Sequence, residues 1–593
     1  MVETSGPGAD TAARMRRALG LHEAGKLAAA ERLYRDILSA EPGHLGARHY
    51  LGVLAHQAGR TEEGIVFLRD VLAAAPGDAG AHANLAQMAL ATGRMREAEV
   101  HARIATILAP GMAEAHVNLA AALARAGEPE EARRHWRRAL EIQPQSPVAR
   151  QGIAEATLAT PNPDAVERAR ALTATGRLLA KLDRHVAAEE LTRRAVALAP
   201  DLAETHLALG TLLIDMDDPA GAAEALATAA ALEPASGPAR GNLGVALQEL
   251  GRSADAMQAF AAAVRLDAED ALAHWNHSLV LLRTGAWAEG LEAFEWRWRL
   301  PGRSARPGTP WDGTPLEGRT LLLHAEQGMG DSIMCLRWIP AAVARAGSGR
   351  VLLAVQEPLQ RLVRATWPEV PLVAEGTPIP HYDVHLPLMS LPRLFAATPA
   401  TLPPPVAFVL PEATRAGGSV TAGAGERRIG LVWAGRPSHP NDARRSCPPG
   451  FLAPLATVPG CRFFALQAPA ARHAPATTVT DLPPALRART VDLGPLLTDM
   501  AETAAALTRM DLLITVDSAV CHLAGTQGVP TWVMTSFVAD WRWFEHRADS
   551  PWYPGLRLFR QPRPHDWPAV VAAVAAALGE TGGVDFGDDP TIG

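Results

Sequence analysis

One block in the last quarter of the chain carries side chains that could bind a diphosphate. The largely apolar run Leu512–Val516 is followed at once by Asp517 and Ser518, with His522 four residues further on. Ser518 and His522 share one face at the start of a predicted helix. A hydroxyl, backbone N–H groups, the positive helix end and an imidazole therefore converge on one point. The alternative is structural, with Asp517 as a simple N-cap and His522 as a core histidine.

A second candidate is a glycine turn between a predicted strand at 320–323 and a helical pattern at 332–340. Four polar side chains surround the two glycines of this turn, and the set comprises His324, Glu326, Gln327, Gly328, Gly330 and Asp331. A strand, a glycine turn and a helix can direct backbone N–H groups at an anion. A diphosphate would repel Asp331, so we expect this carboxylate to face away from a bound diphosphate.

A basic loop follows the predicted strand 429–433. It holds Trp433, Gly435, Arg436, Arg444 and Arg445. Guanidinium groups bind phosphate in a bidentate manner, so the loop is a phosphate-binding candidate. The alternative is a solvated basic loop.

A metal site is not predicted. His381, Asp383 and His385 alternate along a strand, but a fourth ligand is not evident, and alternating polar residues of a strand explain the pattern more simply.

Composition restricts the class of protein. The net charge of −7 over 593 residues gives no electrostatic reason to expect nucleic acid as a partner. The four cysteines are far apart, which is typical of a reducing compartment. The N-terminal sequence lacks the features of a secretory signal, and no apolar run approaches the ~20 residues that cross a bilayer. We therefore expect a cytoplasmic multidomain protein without a transmembrane segment.

The first half of the chain has a 34-residue period. Glycines recur at this interval, and so do prolines 17 residues after each glycine: Gly25, Gly59, Gly93, Gly127, Pro42, Pro76, Pro110 and Pro144. The period, with small residues at 30, 64, 98 and 132, resembles the tetratricopeptide repeat. It predicts an α-helical solenoid of about eight repeats over residues 1–300, with an irregular insertion near 145–165. Such an array presents a concave face to a protein or peptide, or serves as an oligomerisation scaffold.

The last unit of the array, residues 274–298, is rich in aromatic residues. We interpret it as a capping repeat whose tryptophans seal the array against the next domain, although a ligand-binding face is the alternative.

Beyond residue 300, strand and helix patterns alternate, which indicates parallel sheets with helices on both faces. Strands are predicted at 320–323, 351–355, 371–373, 384–386, 429–433, 462–466, 512–516 and 531–534. Helices are predicted at 332–346, 357–365, 498–509, 518–526 and 567–578. A Gly- and Ala-rich stretch separates two such domains, so the boundaries are 301–412, a linker at 413–427, and 428–593. Open α/β sheets bind ligands at the carboxyl ends of their strands.

The blocks at 324–340, 433–446 and 511–530 together resemble bacterial tetratricopeptide-repeat proteins fused to a domain of the ADP-heptose–lipopolysaccharide heptosyltransferase family. The run from Phe537 to Gln561 is similar to the fused subgroup in particular. The resemblance covers nearly the whole chain. It implies a GT-B fold, with two Rossmann-like domains facing one cleft, and metal-independent transfer of a sugar from a nucleotide-diphosphate donor.

The resemblance also implies residue roles. Gly330 and Asp331 correspond to the family's Gly-Asp turn, with Asp331 as the general base. Glu326, Gln327 and Gly328 belong to the same acceptor-side turn. Asp517, Ser518, Ala519 and His522 correspond to the block that holds the donor, with Ala519 in place of a glycine. Trp433, Gly435, Arg444 and Arg445 form the basic donor-side loop, where heptosyltransferases have a lysine.

These assignments predict an inverting transfer, with the nucleotide-sugar as co-substrate and no other cofactor. The acceptor would be a glycan or a protein, which the repeats would recruit. Two alternatives stay open: a non-catalytic scaffold with a degenerate GT-B domain, and protein glycosylation of the O-GlcNAc-transferase type.

Overall fold

The computed structural model describes residues 7–159, 164–302, 306–374, 377–439, 441–467 and 477–580. Residues 160–163, inside the predicted insertion, and the first six residues lie outside these ranges. The chain divides into two compact units, Met1–Pro234 and Ala235–Gly593.

The first unit consists of helices throughout its described residues. They are α1 (Pro7–Glu23), α2 (Leu27–Ala40), α3 (Leu45–Gln57), α4 (Thr61–Ala74), α5 (Ala79–Ala91), α6 (Met95–Leu108), α7 (Ala113–Ala126), α8 (Pro129–Ile142), α9 (Pro147–Ala159), α10 (Ala165–Lys181), α11 (His185–Leu198), α12 (Ala203–Asp215) and α13 (Pro219–Leu232). They form antiparallel pairs, except that the single helix α9 interrupts the series. Helix α9 lies within the stretch 145–165 where an irregular insertion is predicted.

The turn residues of the pairs have a left-handed backbone. Gly25, Gly59 and Gly93 have φ values of 71°, 81° and 76°. Asp183 and Asp217 replace glycine at two turns and have φ values of 56° and 61°, a conformation that Asp tolerates better than most residues.

Small residues are needed where the two helices of a pair cross. A Cβ atom on Gly64 would lie only 2.6 Å from the carbonyl oxygen of Gly52, so a larger residue there would push the helices apart. Ala30, Ala98 and Ala132, at the equivalent positions, are completely buried. The prediction of small packing residues is confirmed.

The second unit begins with two further helix pairs and continues into α/β structure. The pairs are α14 (Gly237–Glu249) with α15 (Ser253–Leu266), and α16 (Ala271–Thr284) with α17 (Trp287–Phe294); a 3-10 helix follows at Glu295–Arg299. We call α14–α17 and this 3-10 helix the terminal repeats. Leu282, Trp287, Leu291 and Phe294 share one hydrophobic core with residues of both sheets. The capping interpretation of the last unit is therefore confirmed for Trp287.

The α/β part contains two parallel sheets. The strands are β1 (Thr309–Pro310), β2 (Thr320–His324), β3 (Arg350–Ala354), β4 (Val384–Pro387), β5 (Arg427–Val432), β6 (Cys461–Ala465), β7 (Thr490–Asp492), β8 (Leu512–Val516), β9 (Thr531–Thr535) and β10 (Leu556–Arg560). The first sheet has the order β1-β4-β2-β3 and the second β10-β9-β8-β5-β6-β7. Every pairing is parallel, so all strands of a sheet end at one edge.

Helices connect the strands. They are α18 (Met329–Cys335), α19 (Ile339–Ala346), α20 (Gln360–Thr366), α21 (Leu391–Leu394), α22 (Asp442–Arg445), α23 (Pro484–Arg487), α24 (Met500–Leu507), α25 (Ala519–Thr526) and α26 (Trp567–Glu580). Short 3-10 helices lie at Leu336–Trp338, Glu357–Leu359, Leu388–Ser390, Ala416–Ser419, Pro449–Thr457, Val479–Asp481, Gly494–Leu496 and Trp541–Trp543. The α/β content is confirmed, whereas the GT-B arrangement stays a prediction.

Three details of the secondary-structure prediction were wrong. The predicted strand at 371–373 is reduced to a single bridge between Leu353 and Leu372. The predicted helix 332–346 is broken at Leu336–Trp338, because Pro340 lacks the N–H that would continue the α-helical hydrogen bonds. Strands β1, β7 and β10 were not predicted; the first two are very short, and β10 lies inside a run of mixed aromatic and charged residues.

In the part of the chain described here, no helix combines the length and the apolar character that a membrane span requires.

Candidate functional site

The glycine turn of the first sheet meets the start of α25 from the second sheet. A Cβ atom on Gly330 would lie 2.8 Å from Cδ2 of His522 and 3.5 Å from the Cα atom of Ala519. A side chain at 330 would therefore displace the His522 ring from its position. Two blocks that the sequence identified separately, 189 residues apart between Gly330 and Ala519, are in contact.

Asp331 takes part in two interactions at this meeting point. Its Oδ2 atom accepts a hydrogen bond of 2.8 Å from the backbone N–H of Gly328 at the start of α18. Its Oδ1 atom forms an ion pair with the guanidinium of Arg542, which belongs to the second sheet's side of the site. Asp331 is thus positioned by its own helix and by a residue that lies 211 positions away.

Arg542 is the main site residue that the sequence analysis missed. Its guanidinium also lies 2.5 Å from the carboxylate of Asp540. Only 8 % of the residue is exposed. Burial lowers the pKa of Arg542, whereas the carboxylates of Asp331, Asp540 and Asp517 raise it, and the raising effect prevails. The signal in the sequence was an arginine between Trp541 and Trp543 in a loop after a strand, a place where functional residues concentrate.

Asp517 follows the carboxyl end of β8 and belongs to the same group of charges. Its pKa is raised to about 6 by burial and by the neighbouring Asp540, and the guanidinium groups of Arg542 and Arg445 oppose this rise. A carboxyl group with this pKa can hold or release a proton close to neutral pH. The residue at the N-cap of α25 is Ser518, so Asp517 is not the simple cap of that helix.

His522 is buried and neutral. Its Nδ1 atom lies 3.0 Å from the hydroxyl of Tyr553, and its ring stacks on Trp543 at 5.4 Å between centroids. Burial, together with Arg542 and Arg337, holds the pKa of His522 well below its usual value. A neutral imidazole offers a hydrogen bond to a ligand rather than a positive charge.

Ser518 and Cys521 are bonded within the α25 segment. The hydroxyl of Ser518 lies 3.2 Å from that of Thr515, and Sγ of Cys521 donates to the backbone oxygen of Ser518 at 2.9 Å. Asp517, Cys521 and His522 place potential metal-ligand atoms within 4.8 Å of one another. Burial and Asp517 raise the pKa of the Cys521 thiol well above its usual value, which favours the protonated form that does not bind metals.

The basic loop places its two central arginines differently. Nε of Arg445 lies 3.4 Å from Asp442. A Cβ atom on Gly435 would lie 2.6 Å from the Arg445 guanidinium, so a larger residue at 435 would displace this side chain. Arg444 is instead 2.5 Å from the carboxylate of Glu249 in α14. Trp433 is completely buried in the core and donates from Nε1 to Thr477 at 3.0 Å, so its ring is not available to a ligand.

Glu326 and Gln327 are bonded to residues outside the turn. The carboxylate of Glu326 is 3 % exposed and makes two bonds, of 2.9 and 2.8 Å, to the guanidinium of Arg297. Burial raises the pKa of Glu326, and Arg297 opposes this effect. The backbone oxygen of Gln327 accepts from Gln356 at 2.8 Å. Glu326 therefore holds the turn in place through its side chain, and Gln327 does so through its backbone.

The three residues considered as metal ligands are separated in the structure. His381 is exposed and lies 3.4 Å from Asp383, whereas His385 is buried and lies 3.2 Å from His324. Burial lowers the pKa of His324 to about 3, so this histidine pair is uncharged at neutral pH.

Comparisons with known proteins identify the repeats. Tetratricopeptide-repeat models match residues 21–87, 55–103, 113–146, 207–271 and 243–295. The chain is 28% identical over 293 residues to protein FlbA of Caulobacter vibrioides, a match that covers 46% of this chain and 48% of FlbA. The chain thus spans about half the length of this curated relative. The first half of the chain therefore contains tetratricopeptide repeats, as the 34-residue period predicted.

Among solved structures, pilF of Pseudomonas aeruginosa is 19% identical to this chain, with a TM-score of 0.25. The match covers 40% of this chain and 97% of the pilF chain. YrrB is described as a TPR protein with an unusual peptide-binding site, and it is 18% identical to this chain, with a TM-score of 0.19. The match covers 35% of this chain and 95% of the YrrB chain.

Proposed function

We propose that this protein is a glycosyltransferase that transfers a sugar from a nucleotide-diphosphate donor to a glycan or protein acceptor in the cytoplasm. The observation that supports the proposal most strongly is the contact between the Gly328–Asp331 turn and the start of α25. Both segments follow the carboxyl ends of parallel strands, where α/β sheets bind their ligands. The repeats would recruit a protein partner or acceptor on their concave face.

The chemistry divides between the two sides of the site. On the first side, Asp331 is the candidate general base for the acceptor hydroxyl, because each of its oxygens keeps a second lone pair beside the bonds from Gly328 and Arg542. On the second side, the backbone N–H groups at the start of α25 and the guanidinium of Arg445 would stabilise the leaving diphosphate. A single base without a covalent intermediate would give inversion at the sugar.

Three carboxylates, from Asp331, Asp540 and Asp517, surround the guanidinium of Arg542. This surplus of negative charge disfavours a diphosphate next to Arg542. We therefore place the donor diphosphate nearer to Arg445, and the acceptor nearer to Asp331. Asp517 would lie between them, and its proton would reduce the repulsion when the donor binds.

The test is a panel of nucleotide-sugars incubated with the full chain, with release of the nucleotide diphosphate as the measurement. Asp331→Asn is expected to reduce turnover by at least a hundredfold while nucleotide binding is retained. Asp312→Asn is the control, because Asp312 is an exposed carboxylate that accepts from Thr314 in the same half of the α/β part. Unchanged turnover in Asp331→Asn would exclude Asp331 as the base.

A second candidate is a scaffold that binds a ligand without transferring it. One observation favours it: both carboxylate oxygens of Asp331 are already engaged. In that case nucleotide binding would be measurable, but no donor of the panel would be consumed.

A further inference from the structure

Three loops of the α/β part that contribute to the candidate site also touch the terminal repeats. Three ion pairs make these contacts, and each joins a different helix of the repeats to a different loop. Glu249 of α14 binds Arg444, Arg283 of α16 binds Glu545, and Arg297 of the 3-10 helix binds Glu326. The loops concerned are the basic loop, the loop that carries Arg542, and the glycine turn that carries Asp331.

The contact at Glu326 is the most buried of the three. Arg297 is 1 % exposed and Glu326 is 3 % exposed. Arg297 also binds Glu295 at 2.7 Å and the hydroxyl of Ser390 at 2.7 Å. Because a bidentate arginine–carboxylate pair fixes both the position and the orientation of the carboxylate, the backbone at 326 is held from the repeat side.

The contact at Glu545 is reinforced by packing. Nε of Arg283 lies 2.8 Å from Glu545, and Ser253 of α15 binds the same carboxylate oxygen. Trp287 stacks on Phe544 at 5.9 Å between centroids with parallel rings. Phe537 lies against Gly251, where a Cβ atom would come within 3.1 Å of its ring. The segment from Phe537 to Glu545, which contains Asp540 and Arg542, is thus held on the surface of the terminal repeats.

From these contacts we infer that the terminal repeats are a structural part of the catalytic site, and that Arg297 is a positioning residue for the Asp331 turn. Arg297 acts through Glu326, five residues before Asp331, and not on the substrate itself. In this inference, only the catalytic role of the turn rests on the proposed function. Its structural content, that the repeats hold the turn, stands independently of any activity.

A purely stabilising role of the pair predicts a different result from a positioning role. Arg297→Met leaves the buried Glu326 without its partner, so a general loss of stability is expected from this variant in either case. The double variant Arg297→Met/Glu326→Gln removes both charges. If the pair only stabilises the fold, the double variant recovers most of the lost stability, because Glu295, the other carboxylate that Arg297 binds, is 26 % exposed. The turn then stays as it is in the wild-type protein.

The experiment measures backbone hydrogen exchange across residues 327–335 in the full chain by mass spectrometry, under conditions where all variants are folded. We expect at least tenfold faster exchange in this segment in the double variant, with exchange over residues 27–108 unchanged. Arg299→Met is the matched control, because Arg299 lies on the same 3-10 helix but forms an exposed pair with Glu269. Wild-type exchange at 327–335 in the double variant, or an equal increase in Arg299→Met, would overturn the inference.

Turnover separates this inference from the proposed function. If a donor is consumed, the double variant should lose at least tenfold in kcat with little change in the KM for the donor, because the start of α25 is not altered. Equal losses in kcat and in donor affinity would contradict positioning of the acceptor-side turn. If the wild-type chain consumes no donor but the exchange result is obtained, the proposed function fails and the structural inference stands.

Discussion

The repeats before residue 235 and the terminal repeats share one helical pattern but use charge and packing differently. In the earlier repeats, ion pairs such as Arg69–Glu97 and Arg103–Glu131 recur 34 residues apart and are largely exposed, with 54 % and 42 % of the arginine side chains accessible. In the terminal repeats, the arginines at 283 and 297 are 4 % and 1 % exposed, and both bind carboxylates of the α/β part.

The comparison shows how one repeat pattern serves two purposes. Exposed pairs between neighbouring repeats contribute little energy individually, so their number and identity are free to vary. A buried pair is costly when one partner is lost, and it specifies a single partner. We therefore expect substitutions in the terminal repeats to affect the candidate site, and equivalent substitutions in the earlier repeats to have little effect.

The largest effect is expected from Trp287→Ala. Trp287 is 2 % exposed and contacts Trp541, Phe544 and Trp552, so truncation leaves a cavity and should cost about 3–5 kcal/mol in the free energy of unfolding. Hydrogen exchange of residues 235–580 measures this loss separately from the earlier repeats. Trp296→Ala is the control in the same unit, since Trp296 is only half-buried and stacks on His274. Equal losses in the two variants would contradict the central role of Trp287.

A somewhat smaller effect is expected from Arg283→Met. The substitution leaves Glu545 without the guanidinium that binds it, at a cost of about 2 kcal/mol, which is below that of a fully buried pair because Glu545 is 25 % exposed. Urea unfolding followed by circular dichroism measures the change. The double variant Arg283→Met/Glu545→Gln should recover part of the loss, because the unpaired charge is gone. A double variant that is as unstable as the sum of the two single variants would show that the pair is not coupled.

The pH dependence of stability reports on Asp517. Its pKa is raised to about 6 from a usual value of 3.8, so the folded chain retains a proton that the unfolded chain loses between these values. The free energy of unfolding should therefore fall as pH rises from about 4 to about 6, by about 2–3 kcal/mol from this group. Asp517→Asn should remove this contribution, as measured by urea unfolding at a series of pH values. Parallel profiles of the variant and the wild-type protein would contradict the assignment.

The smallest effect is expected from Arg69→Met in the earlier repeats. Arg69 is 54 % exposed, so its pairing with Glu97 is screened by solvent and the change in the free energy of unfolding should be less than about 0.5 kcal/mol. Thermal unfolding at low salt would detect it most readily. A loss comparable to that of Arg283→Met would remove the distinction between the two groups of repeats.

The sequence predicted those features that depend on local periodicity. The 34-residue spacing identified the repeats, and the short apolar runs identified most strands of both sheets. The polar residues after β2 and β8 were identified as candidates because they follow buried strands, and their segments meet in the structure. Their individual roles stay predictions.

Contacts between distant segments were beyond the reach of the sequence. Arg542 carries no local pattern that links it to Asp331, and Glu249 carries none that links it to Arg444. Arg297 and Glu326 are only 29 residues apart, yet the pair joins the end of the repeats to the first sheet. The sequence assigned these two residues to separate domains, so it gave no reason to expect them to be in contact. Which of several arginines turns inward depends on the packing of the whole unit.

Contacts recur at a 34-residue interval in the earlier repeats, which has a consequence for the deletion of one repeat. Removing residues 79–112 would join Asp78, the N-cap of α5, to Ala113, the first residue of α7. Glu131 would then take the place of Glu97 beside Arg69. The pair His116–His135 would likewise take the place of His82–His101. Loss or duplication of one such unit therefore keeps these contacts, whereas loss of either terminal helix pair would remove an ion pair to the α/β part.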